Sequence, residues 1–249
     1  MRRNQVRCSE LVTKPHHPAH KRVENGMKRA YIAISSALAL TLALALPALA
    51  PATLTEVGVI GETTPATKPS CPTSPCLAVS RTTGFQVKVG TSTNILSAPR
   101  EGTIVAWTIS LGKPSASQIK FFNTNEGGAS TAAISVLRPQ KTPNLTYQLI
   151  AQSPVMKLEK YFGKTVQFPL ASTINVKKGD VIALTVPSWA PALALGFENT
   201  TSWRASRPKK ECTSTSNQTA QTQVGTNIQY YCLYRTARLT YSATLISTP

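Results

Sequence analysis

From Gly84 onward the chain repeats one pattern. Short runs rich in Val, Ile, Thr, Tyr and Phe alternate with Gly, Pro, Asn and Ser: FQVKVG, GTIVAWTISLG, SQIKFFNT, TAAISVLRP, TYQLIAQS, KTVQFPL, STINV, DVIALTVP, ALALGFE, SWRAS, IQYYCLY and ARLTYSATLIS. Runs of this length and composition, set between turn-forming residues, are read as strands. Within TIVAWTISL, alternation places Ile104, Ala106, Thr108 and Ser110 on one face. Val105, Trp107, Ile109 and Leu111 fall on the other, the inward one. No stretch beyond Thr53 keeps a helical period for three turns. About eleven short strands over roughly 165 residues predict an all-β fold, a single antiparallel β-sandwich of jelly-roll-like kind, over residues 81–249.

Ahead of the strands the pattern differs twice. Residues 53–80, with TTPATKPSCPTSPC at their centre, hold few large apolar side chains and read as a Thr/Pro-rich arm. Residues 27–52 read as a signal peptide, with Lys28 and Arg29, an apolar helical run from Ala30 to Leu46, Pro47, and a small-residue end. Ala48-Leu49-Ala50 fits the cleavage rule, but Pro51 would follow that cut and hinder it. Cleavage after Ala52 avoids the difficulty. The rival is an uncleaved anchor, because the run approaches the roughly 17 residues that span a bilayer. Residues 1–26 are polar and basic without periodicity, and read as an upstream extension, non-native or disordered, with Met27 as the true start.

The segment NVKKGDVIAL, residues 175–184, resembles a hairpin that recurs in secreted jelly-roll and carbohydrate-binding-module domains. Gly179 supplies the positive φ of a tight turn there, and Asp180 bonds back to the backbone. The Ala/Thr/Pro-rich chain as a whole resembles secreted β-sandwich proteins of high-GC bacteria, a likeness that brings no function with it.

Charge and cysteine content narrow the setting. Eight of the 27 Lys/Arg and two of the ten Asp/Glu precede Thr53, which leaves a net charge of +11 beyond it. A basic exterior favours anionic partners such as a cell-wall or other anionic glycan, while an exported chain without a nucleic-acid-binding motif is not expected to bind nucleic acid. Membrane contact is expected only through the signal segment. The cations are scattered except for Lys177-Lys178 and the group Arg204, Arg207, Lys209 and Lys210. Cys8 lies upstream, and the four cysteines that remain, Cys71, Cys76, Cys212 and Cys232, predict disulfides in an exported, extracellular or cell-envelope product. Four cysteines allow three pairings; nearness favours Cys71–Cys76 and Cys212–Cys232. Zinc is a poor rival, because neither spacing is the tight C-x2-C kind.

Absences exclude chemistry. His16, His17 and His20 all precede Met27, so the processed chain has no histidine for a nucleophilic triad or a histidine metal site. Asp180 is the sole aspartate and sits in a turn, which removes calcium loops built on clustered aspartates. No glycine-rich phosphate loop opens a helix. A glycosidase would need two facing carboxyls, for which Glu126 and Glu198 are the candidates, though nothing marks them. The expectation is a non-catalytic module without cofactor or metal.

Aromatic residues supply the candidate contacts. Pro187-Ser188-Trp189-Ala190-Pro191 reads as a rigid corner between strands, with Trp189 either capping the core or presented for stacking; the cap is favoured. Trp203, with Arg204 and Arg207, reads either as a core residue beside solvated arginines or as a basic–aromatic platform. The Cys212–Cys232 loop and its Tyr230 would lie next to it. The partner expected for such a surface is an anionic glycan. A self-assembling extracellular protein is the alternative.

Overall fold

The computed structural model describes residues 52–61, 67–214 and 218–247. The upstream extension and all but the last residue of the signal segment lie outside the described residues. In chain order the elements begin with β1 (Thr53–Val57), β2 (Val79–Val89), β3 (Ser92–Thr93) and β4 (Gly102–Ser110). Helix α1 (Ala116–Asn125) precedes β5 (Thr131–Pro139), β6 (Thr146–Gln152), β7 (Met156–Lys157), β8 (Thr165–Val176) and β9 (Val181–Ala190). The chain continues through β10 (Leu193–Leu195), β11 (Ser202–Ala205), β12 (Asn227–Gln229), β13 (Cys232–Arg235), β14 (Ala237–Leu239) and β15 (Tyr241–Ser247).

These strands build an all-β antiparallel sandwich, as the sequence predicts. One sheet runs β1-β15-β4-β8; the larger runs β12-β6-β5-β9-β2-β11-β13. Strands β12 and β13 stand at opposite ends of that order, yet only Tyr230 and Tyr231 separate them in sequence. Three residue steps reach at most about 11 Å. The larger sheet is therefore curled until its two edges nearly meet, a half-barrel with the smaller sheet packed on its outside. Tyr241 of β15 crosses between the sheets, its hydroxyl 3.0 Å from Ile182 O and 3.3 Å from Gly84 O. Trp107, Ile109, Ile182, Leu184 and Leu245 are buried in the shared core.

Several local expectations change. In β4, register breaks between Ile104 and Ala106 against both neighbours. The bulge resets the alternation, so Ile104 joins Trp107, Ile109 and Leu111 inside while Val105 is half-buried. KTVQFPL and STINV form the single strand β8. The arm's first residues are strand: β1 pairs with β15 in register, Leu54 opposite Ile246.

SQIKFFNT is helix α1, not a strand. Ser115 caps it, with Gln118 N–H donating to the Ser115 hydroxyl while Ser115 N–H donates to Gln118 Oε1. Gly127 and Gly128, at φ +90° and +92°, turn the chain out of it. Phe122 is the helix's one buried residue and Phe121 is exposed, so no apolar stripe announces it.

Pro187-Ser188-Trp189-Ala190 is likewise strand, the end of β9, not a corner loop. Ser80 pairs with Trp189 and Thr82 with Val186, so Pro187 and Ser188 together oppose Arg81 alone. A proline is tolerated at such a bulge, where the ladder does not require its missing N–H. Trp189 is fully buried beneath α1, stacked 4.7 Å from Phe122, with its indole N–H shared between Asn123 Oδ1 and Gly128 O.

Trp189→Ala should lower unfolding free energy by about 3–5 kcal/mol, whereas Phe121→Ala, at an exposed helix position, should stay within about 0.5 kcal/mol of wild type. Urea unfolding followed by far-UV circular dichroism measures both.

Candidate functional site

The structure does bring Trp203, Arg204, Arg207 and Tyr230 to one corner, where β11 pairs with β13. It turns them inward. Trp203 lies opposite Tyr234, ring centroids 4.8 Å apart, and its ring covers Gly84 so closely that a Cβ there would fall 2.9 Å from it. Arg204 donates to Tyr230 O at 3.2 Å and Tyr231 O at 2.7 Å, clasping the connection between β12 and β13. Arg207 donates to the Tyr234 hydroxyl at 2.8 Å, and that hydroxyl donates to Cys212 O. Burial lowers the pKa of both guanidinium groups. Trp203, Tyr230 and Trp189 are all buried and offer no stacking face, which corrects the aromatic-platform reading. Each ring is covered by a different neighbour: Tyr230 by Phe85, Tyr147 and Gln221 on the concave face, Trp203 by Tyr234 and the Gly84 backbone, and Trp189 by helix α1.

Both nearest-neighbour disulfides form, Cys71–Cys76 and Cys212–Cys232. The loop closed by the second is not a free surface loop. Its Gln221 enters the concave face of the larger sheet, where its backbone N–H donates to Thr83 Oγ1 at 3.0 Å. The Gln221 side chain accepts from Tyr230 Oη at 2.6 Å and donates to Thr226 O at 2.8 Å. Beneath it Thr83, Thr185 and Ser135 form a buried hydroxyl row, at 3.0 Å and 2.6 Å. Burial pushes the Tyr230 phenol well above its usual range.

Charge gathers elsewhere. A cleft of about 620 Å³ opens at one end of the smaller sheet. Thr108 and Ser110 of β4, Thr165 of β8 and Ser242 of β15 line it with hydroxyls, and Lys68, Lys113, Lys164 and Arg238 bring cations. Ser110 and Thr165 hydroxyls lie 2.7 Å apart, and Thr240 donates to Ser110 O. Arg238 reaches in from β14, donating to Thr67 Oγ1 at 3.0 Å and Gly58 O at 3.4 Å. Burial lowers its pKa too. The Cys71–Cys76 loop closes against the wall at Gly112, where any Cβ would meet Cys71 at 2.9 Å. Leu111 N–H donates to Lys164 O and Gly163 N–H to Gly112 O, which ties the segment carrying Lys113 to the one carrying Lys164.

No described lining residue is a carboxylate. Glu56 sits at the margin, accepting from Ser242 and from Thr244. Sequence reasoning missed this cleft because its four cations lie far apart along the chain, at positions 68, 113, 164 and 238, and scattered charge reads as solvation. The sequence-level pairs behave differently. Asp180 accepts from Lys177 N–H at 2.9 Å, the expected turn bond, and also takes two bonds at 2.8 Å from Arg138. Glu126 closes α1 and pairs with Arg81 at 3.2 Å; Glu198 stands in the turn before β11 and receives Thr201 N–H on its backbone oxygen. Among the described residues no three His, Cys, Asp or Glu side chains cluster as metal ligands.

Comparison of the chain with protein-family profiles, curated proteins and solved structures finds no match. The cleft's own chemistry is therefore what speaks for a function.

Replacing Cys212 and Cys232 together by Ser should cost about 3 kcal/mol of unfolding free energy, given a loop of some twenty residues. Denaturant titration measures the loss. Hydrogen exchange of the Gln221 and Tyr230 amides should accelerate with it, since these groups close the half-barrel.

Proposed function

We propose that this chain is an exported, non-catalytic β-sandwich module that attaches to anionic or glycan surfaces through the cleft at the end of the smaller sheet. The observation that carries the reading is the convergence of Lys68, Lys113, Lys164 and Arg238 on one hydroxyl-lined cleft with no carboxylate among its described lining residues. Like charges are costly to gather, and a shared counter-ion offsets that cost. The net charge of +11 beyond Thr53 adds long-range attraction for a polyanion. Export is supported by the signal pattern and by two disulfides, which persist in oxidising compartments.

Assembly into an extracellular array is a second reading, favoured by one observation. Among the described residues, strand β8 is the outer edge of its sheet, twelve residues without a charged side chain. Its Pro169 and register break work against continuous pairing there.

The disulfide-intact protein should be retained on an anionic glycan resin at low salt and released as ionic strength approaches about 0.5 M, where the Debye length falls below about 5 Å. No retention on anionic or neutral resin at any salt would remove the binding reading. Sedimentation velocity showing growth with concentration would favour the assembly reading instead.

A further inference from the structure

We infer that the cleft is selective for a linear polymer carrying tetrahedral oxyanion esters, phosphate or sulfate, and reads their charge and shape rather than the sugar that carries them. This rests on the binding reading above and specifies its ligand. Three observations lead to it.

The first is the absence of a stacking face among the described lining residues. Tyr241 is their one aromatic, and it is buried with its hydroxyl turned to the carbonyls of Gly84 and Ile182. Neutral sugar recognition relies heavily on an exposed aromatic plane, so this cleft has to hold its ligand by charge and hydrogen bonds.

The second is the kind of cation and its preparation. Arg238 is fixed in the cleft by Thr67 and Gly58, and these two bonds use two of its five N–H groups. No carboxylate among the described residues pairs with it; the described ion pairs are Arg81–Glu126 and Arg138–Asp180. A half-buried guanidinium without a counter-ion is a prepared receptor, and its planar fork matches two oxygens of a phosphate or sulfate.

The third is the arrangement around it. Lys68, Lys113 and Lys164 are exposed point charges on three separate segments, while hydroxyls from β4 and β8 line the cleft between them. Donors arriving from several directions suit an anion with three or four oxygens in three dimensions. A carboxylate offers two oxygens in one plane and leaves part of the set unused. Four cations along a cleft of about 620 Å³ match repeated charges rather than a single ion.

The test measures binding of the disulfide-intact protein to inorganic polyphosphate, dextran sulfate, poly-glutamate and neutral dextran of similar length, by fluorescence anisotropy across a salt series. Polyphosphate and dextran sulfate should bind at least about tenfold tighter than poly-glutamate, a difference of about 1.4 kcal/mol. Comparing these two polymers with each other identifies whether the phosphate or the sulfate oxyanion is preferred. The log–log salt slope should be about −3, four cations each contributing about 0.7. Lys113→Gln with Lys164→Gln should halve that slope and weaken all polyanions alike. Arg238→Lys should keep most of the slope and lose the preference over poly-glutamate. A thermal melt of each variant checks folding, and the exposed lysine pair keeps the test valid if Arg238→Lys unfolds.

Equal binding of poly-glutamate would overturn the selectivity and leave the anionic-surface reading intact. Binding of neutral dextran as tight as polyphosphate, and insensitive to salt, would overturn it in favour of a sugar site. Retention on phosphatidylglycerol vesicles without binding to either polymer would overturn it in favour of a lipid surface. Binding to none of these at any salt would overturn both.

Discussion

The fold depends on how its larger sheet closes. Two edges of a seven-strand path are joined by Tyr230 and Tyr231 alone, so the sheet must bend until those edges almost touch. Strand twist supplies the direction of the curl, and Tyr230 supplies its filling. Its ring sits 5.5 Å from Phe85 and 5.2 Å from Tyr147, and its hydroxyl reaches Gln221. Arg204 holds the carbonyls of the same connection from one side, while the Cys212–Cys232 bridge ties its far end to the loop that Gln221 anchors. Buried polar groups are costly unless satisfied, and here hydroxyl, amide and phenol satisfy one another around a single closure.

That closure explains where the cleft arises. With the half-barrel's concave side filled by its own loop, the smaller sheet supplies the other polar surface. Its strands end together beside the Cys71–Cys76 loop, and the segments leaving them carry Lys113, Lys164 and Arg238. No single segment is strongly basic. The cations meet because β4, β8 and the β14–β15 turn end at one place.

Much of the architecture was legible in the sequence. Alternation and turn residues located β2, β4, β5, β6, β9 and β15, and nearness located both disulfides. The misreadings share a cause. Trp189 looked like the tip of a proline-bracketed corner because the bulge opposite Arg81, which lets Pro187 stay in strand, belongs to the pairing of β9 with β2. Val105 looked inward because the bulge in β4 is set by its neighbours. Helix α1 was the exception: Ser115, Gln118 and Gly127-Gly128 mark both its ends in the sequence itself. That local signal went unread because the helix buries little beyond Phe122.

By itself, then, the sequence determined the class of fold, the even count of cysteines beyond Met27, the basic balance and the lack of histidine beyond Met27. These follow from composition and from interactions between residues close along the chain. Tertiary structure alone decided that Trp189, Trp203 and Tyr230 are interior, and that cations at positions 68, 113, 164 and 238 share one cleft. Both outcomes arise from strand pairing between distant segments. Register sets which side of a sheet each residue takes, and strand order sets which ends lie together.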